Sequence, residues 1–491
     1  MAEYYTPGVY TEKLKNTSIV IEGVSTSVAA FVGIAKRGKV GEAVYVTSWT
    51  DYVNKFAGGL NSPFFADSYL GFCVHSFFNN GGSRCYISRV AHKEDVAKAT
   101  LTVTGTPAKE GNPAPTILFS AKDEGAWANE LKVTCTVNTD FEGTYDLTFK
   151  LGENEETLTQ LSNVEGSERY FVDYLKVFSS YAYVVTGTTL FAFEEKTFTG
   201  GNDGEENVSD NDYLEALNVF DSVDDATLFA IPGQTSDALR TGFTDYIDNH
   251  EFTVGILDAP MSTVTATDMK ILRKKINCER AILMNTWHKV NDPLSDISGK
   301  YRIIPSSGAY AGITARTIEK IGPWKAPAGT DAKVNGAIEL VWDAKKGDTD
   351  LMNPLGIVSI VTKPNYGIVV WGARSVSNDS NYKYVSDILM DIYIRKSVQL
   401  ACQPFVFEPN EGDGDASLWN RIIASCEGFL EYVRLQGGLK GKTSAESYYV
   451  KCDAELNPEP MVQRGYCITE IGYASKKPAE FVVFRFKNSL S

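Results

Sequence analysis

The chain holds four histidines, His75, His92, His250 and His288, and any imidazole-based general base or metal centre must draw on them. They stand in unrelated contexts. None belongs to H-E-x-x-H, the spacing that puts two imidazoles of one helix on a zinc ion. Ser306, His250 and Asp258 supply the residue types of a nucleophile, a base and an orienting acid. However, the G-x-S-x-G turn that presents a nucleophilic serine is absent, and such a trio can be picked from most chains of this length. Gly437-Gly438-Leu439-Lys440-Gly441-Lys442-Thr443 reads G-x-x-x-G-K-T. That is one residue short of the spacer with which backbone amides wrap a phosphate, and it follows a helical segment instead of a strand. A glycine turn at a helix end is the expectation. Asp203, Glu205 and Asn207 crowd the stretch from Gly200 to Asp212 without the glycine and distal glutamate of a calcium loop, so a solvated linker is expected. The eight cysteines include no C-x-x-C pair and read as reduced core thiols. The chemistry expected from these residues is therefore none: no catalytic set, no cofactor and no metal.

The elements that would have to position a site fall into blocks. Ser27 to Ala35 is a continuous apolar run of strand length that ends at the basic turn Lys36-Arg37-Gly38. Val44 to Thr47 predicts a strand, Ser48 an N-cap, Asp67 to Phe78 a helix, and Cys85 to Val90 a further strand. From Ala99 to about Phe198, short runs rich in Thr, Val, Phe and Tyr alternate with Gly, Asn and acidic turns, which predicts an inserted all-β sandwich. Helix and strand then alternate: Tyr213 to Asp221, Ala226 to Ile231, Ser236 to Asn249, Thr253 to Leu257, Asp268 to Ile276 and Ala281 to Met284. That rhythm implies a mainly parallel sheet with helices on its faces. The final third mixes strands with two long helices, Tyr384 to Cys402 and Ser417 to Gln436. The second is amphipathic, with Leu418, Ile422, Cys426, Phe429 and Val433 on one face.

Each end carries a β-branched or aromatic run without an obvious partner: Thr17 to Glu22, and Pro478 to Phe486. Unpaired edges of this kind are blunted, paired within their own domain, or used to add a strand to another molecule. The blocks are thus 1–26 as N-terminal arm and linker, 27–95 as the first part of a core domain, 96–200 as the β insertion, 201–340 as an α/β domain, 341–477 as the rest of the core, and 478–491 as a C-terminal strand arm. The fold class is an α/β multidomain chain with an α+β core built from both termini.

With 491 residues, 43% hydrophobic and 22% charged, the composition is that of a globular protein, and a net charge of −15 argues against nucleic acid as a partner. No apolar run approaches the ~18 residues of a membrane span, and the first residues lack the basic and apolar regions of a signal peptide. Synthesis and assembly in the cytoplasm, without membrane insertion, are expected.

One segment is diagnostic. Arg302 to Gly329 contain I-I-P-S-S-G-A-Y-A-G-I-T-A-R-T-I-E-K-I-G-P-W-K-A-P-A-G, which resembles a segment of contractile tail sheath proteins of phages, tailocins and contractile injection particles. P-G-V-Y-T-E (Pro7 to Glu12), S-T-S-V-A-A-F-V-G-I-A-K-R-G (Ser25 to Gly38), V-V-W-G-A-R-S-V (Val369 to Val376), F-E-P-N (Phe407 to Asn410), L-W-N-R-I (Leu418 to Ile422), Y-V-K-C-D (Tyr449 to Asp453) and E-I-G-Y-A-S-K-K-P-A-E-F-V-V-F-R (Glu470 to Arg485) follow in the family's order. The β-rich block matches no motif.

The resemblance implies a middle domain similar to subtilisin in fold, without its triad. It implies a homopolymer around an inner tail tube protein, closed by baseplate and tail terminator proteins and contracting once as part of a virion or phage-tail-like particle. It assigns strand exchange to Ile19, Val20, Ile21 and Glu22 and to Phe481, Val482, Val483, Phe484, Arg485 and Phe486, with hinges at Gly23 and Gly472. The tube-facing helix would present Arg421, Glu427, Glu431 and Arg434. A hydrolase of subtilisin-like architecture and a surface-binding β module are the competing readings.

Overall fold

Apolar runs too short for helices and bounded by turns are stable only when stacked side by side and covered on both faces. The computed structural model, which describes residues 19–57, 64, 68–107, 113–293, 299–412, 414 and 417–486, arranges them that way. The leader Pro7 to Glu12, residues 17 and 18 of the first arm and residues 487–491 lie outside the described residues. The chain divides into two units, residues 25–389 and residues 1–24 with 390–491.

In the larger unit a seven-stranded sheet runs in the order Ile357–Val358, Ala281–Met284, Val254–Asp258, Leu228–Ala230, Ala29–Ile34, Cys85–Val90, Ala43–Val46. Every neighbouring pair is parallel except the last. The mixed α/β character and the mainly parallel sheet agree with the sequence reading. Ala29, Ala30 and Phe31 are paired on both sides, to Leu228, Phe229 and Ala230 and to Cys85, Tyr86 and Ile87, so this strand is buried without alternation. Helices Asp210–Asn218, Asp237–Asn249 and Ala266–Arg273 cover the sheet through Tyr213, Leu217, Phe243, Ile247 and Met269.

Two antiparallel sheets occupy the block predicted to be all-β. One orders Phe193–Thr197, Lys132–Val137, Thr144–Leu151 and Asn154–Ser162; the other orders Thr100–Thr104, Thr116–Ala121 and Ala182–Thr186. They share one core around Ile117, Phe119, Trp127, Val133, Leu147, Phe149 and Phe198. The basic turn seen in the sequence fastens this block to the parallel sheet. Arg37 Nε pairs with Asp123 at 2.9 Å, and its guanidinium lies over the Trp127 ring at 4.4 Å. Arg89, fully buried, donates Nη1 to the carbonyls of Gly38 and Glu124 at 2.8 and 2.7 Å and faces Asp203. A buried cation is costly unless it is paired and hydrogen-bonded, and here backbone carbonyls take the Nη donors while Nε is left without a partner.

The smaller unit holds part of the helix Val385–Ala401, the helix Leu418–Leu435, and an antiparallel hairpin that pairs Tyr448–Lys451 with Glu470–Tyr473. Ser417 caps the second helix by accepting the Asn420 amide. Leu418, Ile422, Cys426, Phe429 and Val433 are buried along its predicted face. Gly437 stops it at φ +86°, with the Gly437 and Gly438 amides returning to the carbonyls of Arg434 and Val433. The phosphate-loop lookalike is thus a helix C-terminal turn, as expected.

Candidate functional site

Parallel α/β sheets place ligand sites beyond the carboxyl ends of their strands, where successive loops diverge. Those ends here carry Asp258, which closes Val254–Asp258, and Asn285, Thr286 and His288, which follow Ala281–Met284. The helix Ser307–Lys320 begins at the same place. Its N-cap, Ser306, makes no side-chain capping bond, and Asp258 takes over that duty. Its Oδ1 accepts the Ser307 N–H at 2.9 Å, and its Oδ2 accepts the Ser307 hydroxyl at 2.6 Å and the Gly233 N–H at 3.3 Å. A carboxylate at a helix N-terminus satisfies otherwise unpaired amides and meets the positive end of the helix dipole.

The sequence trio does not assemble. Ser306 lies near Asp258, but the imidazole beside it is His288. His250 is engaged at the end of its own helix, with Nδ1 2.7 Å from the Tyr246 carbonyl and Nε2 3.1 Å from Asp221. The Ser306–His288 pair also has the wrong polarity for attack. Ser306 donates its single hydroxyl proton to the Thr286 carbonyl at 2.7 Å, so His288 Nδ1, 3.0 Å away, must donate to Ser306 Oγ instead of taking a proton from it. His288 and Ser306 are both wholly buried, and His288 Nε2 has no hydrogen-bond partner. A cleft of about 510 Å³ beside Arg37, Lys39, Lys55 and Lys122 and another of about 280 Å³ beside Arg273 and Arg374 are lined by none of these residues. The cluster caps a helix and joins strand ends, and its Asp258, His288 and Ser306 side chains are buried. Sequence reasoning missed His288, whose only local signal was its position just past an apolar strand.

Burial sets two opposed titrations in this cluster. It lifts the Asp258 carboxyl from its ordinary 3.8 to about 6, against the opposing bonds from Ser307 and Gly233, and it pulls His288 from 6.5 to about 4. The raised carboxyl contributes stability that is complete below pH 3.8 and is lost as pH rises through about 6. The depressed imidazole contributes stability that is complete above pH 6.5 and is lost as pH falls through about 4. Between these limits the two slopes cancel in the native protein. His288→Gln, which keeps a donor toward Ser306, should therefore lose on the order of 2–3 kcal/mol more stability than the native chain as pH is raised from about 4 to 6.5. Asp258→Asn should show the opposite slope. Urea midpoints across that range read both, and parallel curves for all three proteins would refute the assignment.

The acidic connector is used structurally. Asp203 Oδ1 accepts the Ala126 amide at 2.8 Å, and Ser209 and Asp212 form a capping box on the helix Asp210–Asn218.

The remaining predicted residues lie in the smaller unit. Ile19 to Val24 form no strand ladder. Ile19 N–H donates to Ser425 Oγ and Val24 N–H to Ser397 Oγ, each at 3.0 Å; Ile21 is buried, while Val20 is 79% exposed and Glu22 is exposed. Phe481 to Phe486 also form no ladder, and Phe481, Val482, Val483, Phe484 and Phe486 are between 70% and 92% exposed, with Arg485 exposed among them. A Cβ on Gly23 would fall 2.0 Å from the Tyr393 hydroxyl, and one on Gly472, which lies inside the hairpin strand, 2.1 Å from the Tyr449 ring. Both glycines therefore have a packing reason to be glycine. On the helix Leu418–Leu435, Arg421 pairs with Glu408 at 3.1 Å and Arg434 with Glu431 at 2.5 Å, while Glu427 is exposed.

Residues 206–376 match the family model described as the phage tail sheath protein central domain. A tail sheath protein of Salmonella phage ViI is 26% identical over 318 residues, 62% of this chain and 47% of that protein. The chain spans between 26% and 64% of the length of the curated tail sheath relatives it matches. Among solved structures, the contracted sheath complex of the extracellular contractile injection system PVC superposes with a TM-score of 0.62 at 18% identity, over 100% of this chain and 99% of that one. A sheath tail protein from Listeria innocua gives 0.63 at 14% identity, over 89% and 90%.

Proposed function

We infer that this chain, a contractile tail sheath protein and not an enzyme, is the repeating subunit of a sheath that polymerises around an inner tail tube and shortens to drive that tube through a cell envelope. The observation that carries this reading is the run Phe481–Phe486, a strand-forming sequence with five large apolar side chains in solvent, in the same unit as a sheet of only two strands. Two-stranded sheets are marginal by themselves, and an extended apolar segment is stabilised by joining one. In this reading the run from one subunit, together with Ile19 to Glu22 from another, extends the Tyr448–Lys451 and Glu470–Tyr473 hairpin of a neighbour. Linkers at Gly23 and after Gly472 absorb the rotation of the bodies while those main-chain bonds persist.

Contraction then needs no nucleotide. It needs two packings of the same interfaces separated by a barrier, with a small gain per subunit repeated along the assembly. The exposed side of the helix Leu418–Leu435, with Arg421, Glu427, Glu431 and Arg434, is the surface assigned to the inner tube. Baseplate and terminator proteins would close the two ends. We assign 96–200 as an inserted β sandwich, 201–340 as the subtilisin-like domain, whose sheet is continued by the strands Ala29–Ile34, Ala43–Val46 and Cys85–Val90, and 27–95 with 341–477 as the core from which the arms 1–26 and 478–491 leave. Negative-stain electron microscopy of the purified chain, alone and with the inner tube protein, should show tubes or stacked rings of uniform diameter. Dispersed single particles in both samples would reject the reading.

A further inference from the structure

The four cysteines of the larger unit, Cys73, Cys85, Cys135 and Cys278, are all buried; the four of the smaller unit, Cys402, Cys426, Cys452 and Cys467, include a pair of different character. Cys452 directly follows the hairpin strand Tyr448–Lys451, and Cys467 lies three residues before its partner strand Glu470–Tyr473. Because Lys451 pairs with Glu470, the hairpin brings the two sulfurs to 3.9 Å. The intervening loop is fixed on the same side by Asn457, whose Nδ2 donates to the Ile468 carbonyl at 2.8 Å and approaches Cys452 Sγ at 3.6 Å, and whose Oδ1 accepts the Ile468 amide at 2.6 Å. We propose that Cys452 and Cys467 form a peroxide-responsive dithiol that closes to an intramolecular disulfide across the base of this loop.

The surroundings assign the roles. A hydrogen bond shared with Cys467, with help from Thr469 and Asn457 and against burial, draws the Cys452 thiol down from its ordinary range, while Cys467 is pushed up. With the Asn457 amide donating to its sulfur at 3.6 Å, the buried Cys452 is the thiolate, and Cys467, half-buried, is the resolving thiol. The Cys452 thiolate attacks one oxygen of hydrogen peroxide, and the O–O bond breaks to leave a sulfenic acid and hydroxide. The hydroxide takes the Cys467 proton and becomes water. The Cys467 thiolate then attacks the Cys452 sulfur, the S–O bond breaks, and the departing hydroxide takes up the proton that Cys452 released on ionising. Two thiols and one peroxide have become one disulfide and two waters. The bond encloses Asp453 to Tyr466, a loop long enough for closure to restrain the unfolded chain appreciably.

The test is to treat the native full-length chain with hydrogen peroxide, block the remaining thiols with iodoacetamide, and map non-reduced peptides by mass spectrometry. The expected product joins the Cys452 and Cys467 peptides with loss of two hydrogens. Dithiothreitol should reverse it, and the thermal midpoint of the smaller unit should rise by roughly 5 °C. Cys467→Ser should abolish the crosslink and the rise, and should leave Cys452 trapped as sulfenic acid for a dimedone probe. Cys452→Ala offers a second variant should the first fail to fold. Full alkylation of both cysteines after peroxide, or a crosslink from Cys452 to Cys426, would overturn the proposal.

Discussion

A chain ending at Glu480 is expected to fold as the full-length protein does and to fail to form long tubes. Among the described residues the truncation removes nothing that the body buries, since every side chain from Phe481 to Phe486 is exposed. The assembly loses much more. Moving even two or three of Phe481, Val482, Val483, Phe484 and Phe486 from water into a neighbour's sheet contributes about 1.5–3 kcal/mol each before ordering costs. A net loss of about 4 kcal/mol per contact raises the concentration needed for polymerisation on the order of 1,000-fold. Sedimentation and electron microscopy over a concentration series read this directly, with circular dichroism confirming the folded body. Tubes of normal length at the normal concentration would remove the C-terminal arm from the assembly mechanism. Phe484→Asp with Phe486→Asp in the full-length chain separates loss of apolar contact from loss of chain length, and should behave as the truncation does.

The second large effect concerns the glycines of the diagnostic segment. A Cβ added at Gly308 would lie 2.4 Å from the Cys73 carbonyl oxygen and 2.7 Å from its Cα, and one at Gly312 2.4 Å from the Phe77 carbonyl oxygen. Both obstacles are backbone of the helix Leu70–Asn79, which cannot swing aside as a side chain could. The four-residue spacing puts the two glycines on one face of Ser307–Lys320, where they let the helices touch main chain to main chain. Gly308→Ala should cost about 2–3 kcal/mol or more by forcing the helices apart, and Gly308→Ala with Gly312→Ala should leave the larger unit unfolded or sensitive to protease at ambient temperature. Gly428→Ala serves as the internal control. It lies mid-helix with nothing within 4 Å of the added carbon and should stabilise by about 0.5–1 kcal/mol. Urea midpoints that rank Gly308→Ala equal to Gly428→Ala would show that the helices do not approach so closely.

Local rules carried much of the architecture. Apolar runs bounded by turns located the parallel strands, alternating runs located the antiparallel sheets, and the 3.6-residue period named the buried face of Leu418–Leu435, with a glycine turn expected at its end. Each of these depends on residues a few positions apart, where spacing and propensity act directly. The diagnostic segment was also legible as a string, but the reason for its glycines was not, because their constraint is a helix more than 200 residues earlier in the chain.

What only the tertiary structure decided are the meetings of distant side chains. Sheet order put His288, and not His250, beside Ser306, and it made Asp258, a member of the trio already set aside, a helix cap. Hairpin register brought Cys452 to Cys467, and the junction of two sheets buried Arg89. No periodicity encodes such pairs. They follow from which strands close against which, a choice made by the summed burial of the whole core and not by the residues that it brings together.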